Sequence, residues 1–137
     1  MDEHEPVDES EFVYRRIHPR FYNPALPVAV LFEAFRPNRN DTTALSVLRA
    51  RFAQPEDTLT NRDPAKVSGY YVARLSVGAL HDLGLTVKPD PAPGGPPGHA
   101  VIPELSRQAY ESQKPRWKPV LVELAKLASA DIVLRPS

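Results

Sequence analysis

Arginine is the residue type whose spacing most strongly suggests chemistry in this chain. Between Phe12 and Ala53, seven arginines accompany two acids, Glu33 and Asp41. A planar guanidinium presents paired N–H donors that match the oxygens of a phosphate or a carboxylate. If the segments that carry these arginines are neighbours in one sheet, several guanidinium groups converge at one edge. We therefore predict an anion- or partner-binding surface, formed by Arg15, Arg16, Arg36, Arg39 and Arg49.

A second group of residues suggests an enzyme. Arg16 lies on the first predicted strand, Ser46 lies on another, and His99 follows a Gly/Pro-rich loop, where an imidazole could act as a general base. With Glu104 as a later carboxylate, this set resembles in outline the arginine, serine and glutamate that ADP-ribosyl-transferring folds use to hold a nicotinamide dinucleotide. The Ser-Thr-Ser run and the paired-acid motif of that fold are absent from the sequence. The resemblance implies a nucleotide-handling enzyme with Arg16, Ser46 and His99 around one cleft, and no other catalytic residue is assigned.

Several kinds of site are excluded by composition. The chain has no cysteine, which excludes disulfides, thiolate nucleophiles and cysteine-based metal sites. Its four histidines, His4, His18, His81 and His99, include no pair at the i, i+4 spacing of a helical zinc site. Neither a Gly-rich phosphate loop nor a nucleophile elbow is present. We therefore predict no metal and no cofactor.

Length and charge predict one domain with an acidic tail. A chain of 137 residues is about one domain long, and 16 prolines against six glycines favour short elements. Residues 1–11 hold six acidic groups and no basic one, so the remainder carries a net charge of +6. We predict a disordered tail over 1–11, either solvated or folded back onto the basic remainder, and a single domain over 12–137.

Solubility and partners follow from the same composition. No apolar run approaches the roughly 18 residues needed to cross a bilayer, which predicts a soluble, cytoplasmic protein without a membrane partner. The sequence pI of about 6.9 and the few aromatic residues argue against nucleic acid. A protein partner is expected, and the oligomeric state stays open.

Alternating apolar residues predict the strands. Phe12–Ile17 is rich in aromatic and β-branched types, and Tyr70–Val77 has the clearest period of two. Residues 43–52 fit either a helix or a strand. We favour a strand, paired as a hairpin with the segment before it, because Thr42, Thr43 and Val47 are β-branched.

Helical spacing is clearest near the C-terminus. One apolar face is formed there by Trp117, Val120, Leu121, Leu124, Leu127 and Ala128. A shorter helix is predicted from the cap Ser76 to Gly84. The predicted fold class is α+β, with one mainly antiparallel sheet and the C-terminal amphipathic helix packed on one face.

The order of short motifs resembles that of a group of short, uncharacterised bacterial proteins. The motifs are YRRI at 14–17, AFRP at 34–37, LSV with Arg49 at 45–49, and GHAVI at 98–102. The resemblance implies one domain and carries no activity. Our first interpretation is therefore a small binding or accessory protein that engages an acidic protein segment or an anionic ligand through its arginines, and the enzyme is the alternative.

Overall fold

The computed structural model describes residues 2–37, 44–59, 68–91 and 93–136. Within these ranges the strands are β1 Phe12–Ile17, β2 Leu45–Arg49, β3 Tyr71–Ser76, β4 Lys88–Pro89, β5 His99–Ile102 and β6 Ile132–Leu134. The α-helices are α1 Val77–Asp82, α2 Arg107–Ser112 and α3 Lys114–Ala130. Short 3-10 helices cover Pro19–Phe21, Phe32–Phe35, Pro55–Leu59 and Pro103–Leu105.

The strands form one antiparallel sheet. Their order across the described sheet is β4-β5-β2-β1-β3-β6, and every recorded pair is antiparallel. With α3 packed against it, this sheet confirms the predicted α+β class and its C-terminal helix. The preference for a strand within 43–52 is also confirmed, since β2 occupies Leu45–Arg49.

The predicted hairpin between β2 and the segment before it is wrong. β2 pairs with β1 and β5 instead. The preceding segment forms the 3-10 helix Phe32–Phe35, which packs against α3 and buries Ala34 and Phe35. Burial of these side chains under the helix therefore takes precedence over strand pairing with the next segment in the chain.

The inner face of the sheet carries the core. Residues directly opposite each other in neighbouring strands share a face, so the register places Val13 beside Arg49 and Leu75. Helix α3 covers this face with the buried side chains of Trp117, Leu121, Leu124, Ala125 and Ala128. The helix begins at Lys114 and includes Pro119 in its interior. No helix in the described ranges is both long and apolar enough to traverse a lipid bilayer.

The outer face of the sheet carries the polar side chains that matter below. Alternation along each strand puts Arg16, Ser46 and His99 on this face, opposite to Val13. The 3-10 helix Pro55–Leu59 contacts β1, β2, β3 and β6, and Arg16 reaches its last turn. The outer face is therefore partly covered by a short segment instead of a long helix.

Helix α1 has the predicted N-cap residue at its start and the predicted glycine after its end. The Ser76 hydroxyl accepts a hydrogen bond from the Ala79 N–H, as an N-cap does. Gly84 follows the helix with a φ of +81°, a left-handed conformation that glycine adopts at low cost. The cap and the terminating glycine predicted from the sequence are both confirmed.

Candidate functional site

The N-terminal acidic segment, residues 2–11, is folded against the domain. This differs from the disordered tail predicted from its composition. The Glu11 carbonyl accepts the Val77 N–H at 3.0 Å, and the Glu9 carbonyl accepts the Gly78 N–H at 3.0 Å. Val7 packs against the core. The segment is therefore held by backbone hydrogen bonds and one apolar contact, in addition to its charges.

The strongest attachment of the acidic segment is Arg49. This side chain is fully buried, and its five N–H groups all have acceptors within the segment. The Glu11 carboxylate accepts from Nε at 3.0 Å and from Nη2 at 2.8 Å. The carbonyls of Glu3, Glu5 and Pro6 accept the remaining bonds at 3.1, 2.7 and 3.4 Å. The guanidinium also lies over the Phe52 ring, 4.9 Å from its centre.

This arrangement removes Arg49 from the predicted arginine surface. A buried guanidinium is stable only where its charge is paired and its donors are satisfied, and the acidic segment does both. Burial alone would raise the pKa of Glu11, but hydrogen bonds from Arg49 and from the Asp8 N–H lower that pKa below its ordinary value. Arg49 therefore binds an anionic group of its own chain.

The other predicted arginines lie in different surroundings. Arg15 is on the inner face and donates to the Ser46 carbonyl at 3.0 Å, whereas Arg16 is on the outer face and donates to the Thr58 carbonyl at 3.5 Å. Arg36 is exposed at the end of its 3-10 helix, and Arg39 lies outside the described residues. Arg15, Arg16 and Arg49 consequently do not form one exposed surface.

Two of the three residues in the alternative enzyme site are in direct contact. His99 on β5 pairs with Leu48 in the sheet, one diagonal step from Ser46. The His99 Nε2 and the Ser46 Oγ are 3.1 Å apart. Both residues are partly buried on the outer face, and the His99 side chain is 22% exposed. A serine and a histidine at this distance form the nucleophile and base of many acyl-transfer enzymes.

The other ring nitrogen of His99 faces Asp90. The Asp90 carbonyl oxygen lies 2.8 Å from Nδ1, and its carboxylate Oδ2 lies 3.3 Å away. A carbonyl oxygen carries no proton, so Nδ1 must be the donor and the neutral ring keeps Nε2 as its acceptor. The Ser46 hydroxyl therefore donates to Nε2. Because the Asp90 carboxylate is 62% exposed, the backbone carbonyl contributes more to this orientation than the charge does.

Asp90 was not among the residues selected from the sequence. The signal that could have identified it is the hairpin of β4 and β5, whose register pairs Pro89 with Ala100 and so brings Asp90 opposite His99. Extended segments on both sides of a Pro/Gly-rich loop indicate such a hairpin.

The carboxylate proposed from the sequence, Glu104, has another role. Its Oε1 accepts the Thr86 N–H at 2.9 Å and its Oε2 accepts the Thr86 hydroxyl at 2.7 Å. Both oxygens therefore fix the chain that leads into β4. In the described structure, the carboxylate that contacts the serine and histidine pair belongs to Asp90 instead.

The turn before His99 is tightly enclosed. Gly98 has a φ of +71°, and a Cβ at this position would lie 2.9 Å from the Phe52 Cβ and 3.1 Å from the Arg49 carbonyl. The Gly98 carbonyl accepts the Arg49 N–H at 2.8 Å, and its N–H donates to the Glu3 carboxylate. Only glycine fits here, because both the conformation and the close backbone approach exclude a side chain. His99 therefore directly follows Gly98, the residue whose carbonyl is hydrogen-bonded to the Arg49 N–H.

Comparisons with known proteins identify no family. No protein-family model, curated protein or solved structure matches this chain. The resemblance to short bacterial proteins stays an expectation, and the function has to be argued from the geometry of the site.

Proposed function

We propose that this chain is an enzyme that acts on a phosphate-bearing substrate, such as a nucleotide, with Ser46 as nucleophile and His99 as general base. The observation that supports this proposal is the hydrogen-bonded series Ser46, His99 and Asp90. Its members come from β2, β5 and the loop after β4, so the sheet register itself brings them together.

The roles follow from the hydrogen-bond directions. His99 accepts the Ser46 hydroxyl proton at Nε2 while the serine oxygen attacks the phosphoryl or acyl centre of the substrate. The Asp90 carbonyl keeps the other ring nitrogen protonated and the ring oriented. The imidazolium that forms gives its proton to the leaving group as the bond between that group and the phosphoryl or acyl centre breaks. His99 then takes a proton from a water molecule, which attacks the covalent intermediate and releases Ser46.

Arg16 lies on the same face of the sheet as Ser46 and His99, and we propose that it binds the phosphate group of the substrate. Alternation along β1 and β2 from the pair Tyr14 and Leu48 places Arg16 and Ser46 on the outer face. Its guanidinium donates to the Thr58 carbonyl at 3.5 Å. A guanidinium can also bind a phosphate group through charge-assisted hydrogen bonds.

The test is covalent labelling of the serine. A fluorophosphonate probe reacts with a serine that a neighbouring base activates, whatever the natural substrate is. We expect one adduct per chain, mapped to Ser46 by peptide mass spectrometry and lost in Ser46→Ala, whereas the control Ser112→Ala keeps it. Inorganic phosphate should slow the labelling, and Arg16→Ala should remove this protection. Labelling that is absent, or spread over several serines, would contradict the proposal.

A second candidate function is the binding of an acidic protein segment by the exposed Arg36 and by Arg39. Arg36 is exposed, and Arg39 follows it closely in the chain, so this pair is a possible site for an acidic protein segment. We expect Arg36→Ala with Arg39→Ala to weaken binding of a fluorescent oligoglutamate peptide, with a smaller effect at high salt, because surface charges are screened. The control is Lys114→Ala with Lys126→Ala, which removes the same charge from α3. Equal binding by both double variants would exclude this pair.

A further inference from the structure

The acidic segment reaches the residue next to the proposed general base. Glu3 uses two different groups for this: its carbonyl accepts from Arg49, and its carboxylate accepts the Gly98 N–H. Gly98 directly precedes His99 in the chain. One residue of the acidic segment is therefore bonded both to the Arg49 side chain and to the residue that precedes His99.

We propose that the acidic segment positions His99 for the proposed reaction, with Glu3 as the positioning residue. This inference rests on the proposed function of Ser46 and His99. Glu3 does not contact the serine or the imidazole, so its effect is exerted through the backbone of Gly98. Gly98 adopts a left-handed conformation next to Arg49 and Phe52, and its N–H donates to the Glu3 carboxylate.

Arg49 makes the attachment rigid. Its N–H bonds the Gly98 carbonyl, and its guanidinium bonds the segment at four residues, Glu3, Glu5, Pro6 and Glu11. The same arginine thus fixes β2 and the acidic segment against the start of β5. A charge buried in this way holds its partners in one geometry, because any displacement leaves a donor without an acceptor.

The position of the base is important because proton transfer depends strongly on distance. A misplacement of about 1 Å can reduce a rate roughly a hundredfold. The Ser46 to His99 distance of 3.1 Å is at the long end of the usual range for such a pair. Loss of the Glu3 carboxylate would allow the start of β5 to move, and this distance would increase.

The experiment compares Glu3→Ala with Glu5→Ala in the full chain. Each variant removes one negative charge from the same segment and keeps the backbone carbonyl that binds Arg49. Of these two side chains, Glu3 is the one that bonds Gly98. The Glu5 carboxylate lies 3.8 Å from Arg51 instead, and the Glu5 side chain is 49% exposed. We expect Glu3→Ala to slow fluorophosphonate labelling of Ser46 about tenfold. Glu5→Ala should label at the wild-type rate, and Glu3→Gln should recover part of the loss.

A second measurement separates this inference from the proposed function. The ring nitrogen signals of His99, measured by NMR at one fixed pH, should shift in Glu3→Ala and stay unchanged in Glu5→Ala. If both variants match the wild type in labelling and in these signals, the positioning role is overturned while the proposed function stands. If the wild type itself is not labelled, the proposed function fails, and the His99 signals still decide whether Glu3 holds the ring.

Discussion

Glu11→Ala is expected to lower the free energy of unfolding by about 3–5 kcal/mol, the usual cost of leaving a buried charge without its partner. Arg49 is fully buried and the Glu11 side chain is 8% exposed, so water cannot replace the lost carboxylate without opening the structure. Two of the five guanidinium N–H groups would lose their acceptor. Urea unfolding followed by circular dichroism measures the change.

The matched control for this prediction is Glu9→Ala. Glu9 belongs to the same acidic segment, but its side chain is 69% exposed and lies 3.5 Å from the His81 ring. Removing it should change the unfolding free energy by less than about 0.5 kcal/mol, as is usual for an exposed side chain. If both variants unfold at the same urea concentration as the wild type, the Arg49 attachment does not stabilise the fold.

The same ion pair predicts an acid-sensitive stability. The folded-state pKa of Glu11 is below its ordinary value of 4.5, so the stabilisation is complete above that pH and is lost as the pH falls through the folded-state pKa. Glu11→Gln should therefore be less stable than the wild type at neutral pH. Its melting temperature should fall less steeply with acid below about pH 4.5, because the variant has no carboxylate to protonate here.

His99→Gln is expected to slow labelling of Ser46 by about 10²- to 10⁴-fold, the usual contribution of a general base. The glutamine amide can accept a hydrogen bond from the serine, but it cannot remove the proton.

The control for the histidine variant is His81→Gln. His81 is partly exposed on α1 and contacts Glu9, away from Ser46, so its replacement should leave the labelling rate unchanged. Similar rates for the wild type, His99→Gln and His81→Gln would mean that the serine is not activated by His99.

Local patterns in the sequence predicted most of the framework. Four features that depend on neighbouring residues are present in the structure as predicted. They are the bounds of β1, the Ser76 cap, the glycine Gly84 that follows α1, and the apolar face of α3. Ser46 and His99 were also selected from the sequence, as parts of one cleft. The strand, the cap and the helix face could be predicted because each depends on periodicity or capping within a few residues.

The burial of Arg49 and the order of the acidic segment were not predicted, because both depend on contacts between residues far apart in the chain. Arg49 was assigned to the surface because arginine is rarely buried, and its burial depends on carbonyls that lie more than forty residues earlier in the chain. The acidic segment looked disordered because it has almost no apolar residues. Its single valine, Val7, packs on the core. No local sequence pattern predicts the hydrogen bonds that its backbone makes with α1 and with the Arg49 side chain of β2.

The position of the proton on the neutral His99 ring determines whether His99 can activate Ser46. Long-range nitrogen–proton NMR spectra distinguish a neutral imidazole protonated at Nδ1 from one protonated at Nε2. The Asp90 carbonyl predicts protonation at Nδ1, with a bare Nε2 that accepts the Ser46 hydroxyl. A neutral His99 protonated at Nε2 would donate to Ser46 instead of activating it, and the proposed chemistry would be ruled out.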